Sequence, residues 1–94
     1  MKNKAMRELI GQAAALLKSA GARDVFLFGS VARGTTGDSS DVDLAVSGLP
    51  PQTFFKAMGQ AEDLLGRPLD LIDLDEDTPF TRYLKEENEL ERVG

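Results

Sequence analysis

Ninety-four residues with a formal net charge of −5 suit one small domain, expected to span residues 1–94, with no room for a second core. The chain has neither cysteine nor histidine, which excludes disulfides, thiolate nucleophiles, Cys/His zinc sites and His-based triads, so any general base is a carboxylate, a lysine or water. An acidic chain with only five phenylalanines and one tyrosine repels a phosphate backbone and offers few stacking platforms, so no direct nucleic-acid binding is expected.

No apolar run approaches the roughly 18 residues of a membrane span. Met1-Lys2-Asn3-Lys4 leads into an amphipathic segment, not a signal-peptide core, so a cytoplasmic location is expected. Lys4 to Ala20 reads as a helix, with Met6, Leu9, Ile10, Ala13, Leu16 and Leu17 on one stripe and Gly21 as its stop. Asp24 to Phe28 is the first strand, apolar on both faces. Ser30 to Arg33 is expected to open a short helix, and Gly34 to Ser40, rich in turn formers, a loop.

Val42 to Ser47 is the second strand, with Val42, Leu44 and Val46 on the face opposite Asp41 and Asp43. Gly48-Leu49-Pro50-Pro51 turns the chain into a helix over Gln52–Leu65, striped by Phe54, Phe55, Met58, Ala61, Leu64 and Leu65 and stopped at Gly66-Arg67-Pro68. Leu69 to Leu74 is the third strand. A last helix is expected from about Phe80 to Arg92, with a thin apolar stripe of Phe80, Tyr83 and Leu84, extended by Leu90, and its first three residues either close the domain's own core or meet a partner. The order is α-β-α-β-α-β-α, an α/β chain with three strands. So small a sheet has an exposed edge, and self-association as a homodimer, or docking on another chain as a hetero-oligomer, is expected.

The chemistry concentrates between the first two strands. Gly29-Ser30 ends the first strand abruptly, offering bare backbone and a hydroxyl to a phosphate. Ten residues separate Ser30 from Asp41, and Asp41 and Asp43 open the second strand at positions i and i+2. Strand geometry points both to one side, roughly 6–7 Å apart along the backbone. Carboxylates entering an otherwise apolar strand carry a desolvation cost unless they are paired or coordinated. Together the halves look like a metal-dependent phosphoryl or nucleotidyl transfer site.

Gly29-Ser30, the gap, and Asp41-Val42-Asp43 resemble the signature of the DNA polymerase β-type nucleotidyltransferase superfamily. The Gly29-Ser30-Val31-Ala32-Arg33-Gly34 version and the small size are similar to its minimal nucleotidyltransferases, as is Gly66-Arg67-Pro68-Leu69-Asp70-Leu71. The resemblance implies a small mixed sheet flanked by helices, which element order alone does not reveal. It implies that Asp41, Asp43 and Asp70 bind metal, two Mg²⁺ ions, and carry catalysis. Gly29 and Ser30 match the turn that receives the phosphates of ATP. Arg33 stands where a guanidinium can meet a phosphate, with an ion pair to Asp38 or Asp41 as the structural alternative. Ser40 either joins the nucleotide site or caps the turn before Asp41. Asp73, an odd number of residues from Asp70, is expected on the other face of the third strand.

The resemblance further implies an antitoxin whose partner is a helical HEPN ribonuclease toxin, silenced by transfer of AMP from ATP to a toxin tyrosine. Asp70 would hold a second metal and take up the acceptor's proton, or the metal itself would activate the hydroxyl. Two other functions stay open from sequence: an antitoxin that inhibits by binding alone, and the catalytic subunit of a small-molecule, aminoglycoside-like nucleotidyltransferase.

Overall fold

The computed structural model describes residues 2–29 and 41–93. Three helices and four strands lie among them: α1 (Lys2–Ser19), β1 (Asp24–Phe28), β2 (Val42–Ser47), α2 (Pro51–Leu65), β3 (Leu69–Asp73), α3 (Pro79–Glu86) and β4 (Glu91–Arg92). The short helix expected from Ser30, and the loop over Gly34 to Ser40, lie outside the described residues.

The sheet runs β3-β2-β1-β4 and is mixed. β1 pairs antiparallel with both β2 and β4, while β2 and β3 are parallel. The parallel step follows from α2, since a parallel return needs a crossover long enough to hold a helix. α2 starts with Pro51 as its first residue and stops where Gly66 turns left-handed at φ 70°, a conformation costly for any residue with a Cβ. The Glu62 side chain then accepts from the Leu69 amide at 3.0 Å, and the Val42 amide donates to the Pro68 carbonyl at 3.0 Å. The helix thus hands its strand directly to β2.

Strand alternation divides the apolar residues between two layers. Val25, Leu27, Val42, Leu44, Val46, Leu69 and Leu71 face α1 and α2. Small residues at the helix contacts, Ala13 and Ala14 in α1 and Ala57 and Ala61 in α2, let both helices lie close to the sheet. The opposite face carries a second cluster, Phe28 and Ala45 of the sheet with Leu74 and Leu84, and among the described residues the eight-residue α3 is the helix that lies against it.

Two expectations are corrected, the extent of the last helix with the strand count and the placing of Phe55, and the open reading of the α3 stripe is resolved residue by residue. The sheet has four strands, because the chain after Glu86 does not continue as helix. Glu87 caps α3, and Asn88 takes the left-handed conformation at φ 56°, one of the few side chains that tolerate it. Glu86, Glu87 and Glu89 also crowd negative charge at a helix C-terminus, where the dipole disfavours it. The last residues form β4 instead and cover the edge of β1, held by the Val93 amide on the Val25 carbonyl at 3.0 Å. In α2, Ala57, Ala61 and Leu65 are buried and Phe54, Met58 and Leu64 pack against the core, whereas Phe55 is 74% exposed. In α3, Leu84 is buried, whereas Phe80 and Tyr83 remain about half exposed.

Two ion pairs fix β4. Arg7 of α1 binds Glu91, and Arg92 binds Asp24 of β1 while its guanidinium lies 5.0 Å from the centre of the Phe26 ring. Asp24 also accepts from the Ser47 hydroxyl at 3.1 Å and from Arg23 Nε at 3.3 Å. The Arg92 hydrogen bond, followed by those from Ser47 and Arg23, holds the Asp24 carboxyl below the usual carboxylate range.

Candidate active site

The strand register assembles the site. Asp43 in β2 stands opposite Asp70 in β3 and opposite Phe28 in β1. Register partners share a face, so both carboxylates emerge on the side that α1 and α2 leave uncovered. Asp43 is half-buried in the central strand and Asp70 is exposed on the outer one. Asp73 pairs with Val46 and so lies on the other face, as the odd spacing predicts. Its side chain accepts from the Asp75 amide at 2.9 Å and shapes the turn that follows.

Gly29 follows Phe28 with φ 78°, in the left-handed region. A Cβ at this position would overlap Asp43 Oδ2 and stand 3.2 Å from its Cγ. The glycine is therefore required twice, by its backbone and by the carboxylate packed against it. Asp41 precedes β2 in an exposed position, two residues before Asp43. Ser30, Arg33 and Ser40 lie outside the described residues.

Facing like charges on neighbouring strands repel each other, and a cation bound between them would offset that repulsion. Among the described residues no group of three or more His, Cys, Asp or Glu side chains is gathered tightly enough to hold a metal. Mg²⁺, however, commonly uses one or two carboxylates and completes its octahedron with water and substrate phosphates. An all-oxygen pair with a third carboxylate close in sequence fits that ion by its donor chemistry.

Sequence reasoning missed the aromatic flank. Phe28, the register partner of Asp43, lies 5.9 Å from Phe80 of α3, ring centre to ring centre, edge to face. The only signal available was that Phe28 immediately precedes the glycine turn. Among the described residues no helix is long and apolar enough to cross a membrane.

The fold is that of a nucleotidyltransferase. A family profile described as "Polymerase beta, Nucleotidyltransferase" matches residues 13–90, and the chain belongs to that family. No curated protein sequence matches it significantly. A structure provisionally assigned as a minimal nucleotidyltransferase is 27% identical with a TM-score of 0.77, covering 100% of this chain and 96% of the other. A toxin–antitoxin structure with AMP-PNP is 22% identical with a TM-score of 0.72, covering 94% of this chain and 72% of that one. A toxin–antitoxin MntA–HepT variant, carrying Asp→Glu changes at two positions two residues apart, is 19% identical with a TM-score of 0.68 over 100% and 73%.

Proposed function

We propose that this chain is a Mg²⁺-dependent nucleotidyltransferase that transfers AMP from ATP to a tyrosine of a helical HEPN-type toxin and so acts as its antitoxin. The observation that carries the reading is the in-register Asp43–Asp70 pair set against Gly29. Family membership supports nucleotidyl transfer as the reaction class. Neighbours that are toxin–antitoxin structures, one with AMP-PNP, favour a toxin as partner and an adenine nucleotide as donor. The paired Asp→Glu variant among them has the same two-residue spacing as Asp41 and Asp43.

In this reading Asp41, Asp43 and Asp70 hold Mg²⁺, which when bound neutralises the triphosphate and the charge that develops on the leaving pyrophosphate. Gly29 lets the backbone approach the phosphates without a side chain in the way. Ser30 donates its hydroxyl to a phosphate oxygen, Arg33 pairs with a phosphate, and Ser40 fixes the turn that aims Asp41. The acceptor oxygen bonds to the α-phosphorus, the bond to pyrophosphate breaks, and a carboxylate oxygen of Asp70 takes the acceptor's proton. Asp70 suits this role because it lies exposed on the outer strand, within reach of an incoming hydroxyl, while Asp43 is the inner anchor.

The test is intact-mass analysis of the partner toxin after incubation with this protein, ATP and Mg²⁺. A gain of one or more AMP units, absent with Asp41→Ala/Asp43→Ala, is expected. An unmodified toxin, silenced equally by wild type and variant, would mean inhibition by binding alone.

A further inference from the structure

Three large apolar side chains are strongly exposed among the described residues: Phe55 at 74%, Tyr83 at 52% and Phe80 at 47%. Phe55 belongs to α2, on the sheet face opposite the carboxylates. Phe80 belongs to α3, which lies on the carboxylate face with Leu84 buried in the cluster around Phe28 and Ala45. Its ring meets Phe28 edge to face, and Phe28 is both the register partner of Asp43 and the chain neighbour of Gly29. Paired strand positions are about 4.5–5.5 Å apart between Cα atoms. The exposed part of Phe80 is therefore one aromatic ring removed from the carboxylate centre.

α3 holds that ring on a fixed support. Thr78 and Thr81 form a reciprocal capping box at its start, and Lys85 Nζ donates to the Leu74 carbonyl at 3.1 Å near its end. A nucleotide whose phosphates lie at Gly29 must carry its ribose and base away from them across the surface. Towards β3 the surface is acidic, with Asp70 exposed. Towards α3 it is aromatic. Over carboxylates a base can gain only edge hydrogen bonds from its amino groups, whereas an aromatic face stacks on any base.

We propose that Phe80 is the stacking platform for the nucleobase of the donor nucleotide, buttressed from beneath by Phe28. This rests on the nucleotidyl-transfer reading above and adds the residue that engages the base. Stacking is tolerant of base identity, so Phe80 supplies affinity for a nucleoside triphosphate without selecting adenine.

Binding of ATP and of inorganic tripolyphosphate, each with Mg²⁺, separates base from phosphate recognition. Phe80→Ala should weaken ATP binding about tenfold, equivalent to ~1.4 kcal/mol, and leave tripolyphosphate binding unchanged. Phe80→Trp should keep ATP binding, and since the chain has no tryptophan, the introduced indole is a sole reporter. Its emission should be quenched by ATP and by GTP but not by tripolyphosphate. The platform is wrong if Phe80→Ala binds ATP as wild type does, if it loses both ligands by one factor, or if tripolyphosphate quenches the indole equally. Wild type that binds ATP normally alongside an indifferent Phe80→Ala removes the platform and leaves nucleotidyl transfer standing. Wild type that binds neither ligand removes both.

Discussion

The carboxylate of Asp43 occupies the space that a Cβ on Gly29 would need. Gly29 directly follows β1 and Asp43 is the second residue of β2, so their close approach joins the turn after β1 to the strand that carries the carboxylates. Gly29→Ala must therefore accept a left-handed backbone and displace the carboxylate. Stability should fall by about 1–3 kcal/mol in urea titrations. Mg²⁺–ATP binding should fall further than that loss explains, because in the proposed reading the displaced group is a metal ligand. Unchanged nucleotide binding in a folded Gly29→Ala protein would dissociate the turn from the site.

Asp70→Asn removes one of two facing like charges. Without metal the variant should match or exceed wild-type stability, by up to about 1 kcal/mol, while losing transferase activity. Chemical denaturation in EDTA and a pyrophosphate-release assay measure the two halves. A marked loss of stability in EDTA would mean that Asp70 holds the fold together instead.

Leu84→Ala removes the buried anchor of α3, one of the few apolar contacts on that face of the sheet. The expected loss is about 2–5 kcal/mol by urea denaturation. A loss under 1 kcal/mol would show that α3 is only loosely attached, about the limit for a surface change.

Asp24 joins β1, β2 and β4 through Arg92, Ser47 and Arg23, and its carboxyl is held below the ordinary range. A depressed folded-state value stabilises above the unfolded value of about 3.9 and is lost as pH falls through the folded value. The stability difference between wild type and Asp24→Asn should be constant near neutrality. It should shrink only in acid, below that unfolded value. Urea midpoints across the acid range measure it, and a difference that grows in acid would reverse the assignment.

Much of this arrangement is legible in the sequence because the signals are local. β1, β2 and α2 announce themselves through alternation, Pro51 and Gly66, and the two-residue period alone puts Asp43 on the face opposite Leu44. Counting also puts Asp70 and Asp73 on opposite faces, while the choice of Asp70 for the site came from the resemblance at Gly66 to Leu71. What was not legible depends on distant partners. Glu91 and Arg92 are too few to signal a strand, and they become one through Arg7, Asp24 and the Val25 carbonyl, all far away in sequence. Phe55 looked like core because it is large and apolar, but the close approach of α2 to α1 and the sheet favours Ala57. That the sheet is mixed came only from family resemblance, and the parallel pairing of β2 with β3, which brings Asp43 beside Asp70, is seen only in the structure.

The central claim is that Asp43 and Asp70 act as one metal centre, and a double-mutant cycle on Mg²⁺-dependent ATP binding tests it most directly. Calorimetric titration of wild type, Asp43→Asn, Asp70→Asn and the double variant gives the coupling. Each single change should abolish most of the Mg²⁺-dependent part of the affinity, and the double variant should lose little more, since groups sharing one ligand are not additive. Losses that simply add, or Mg²⁺-dependent binding that survives in the double variant, would contradict the account.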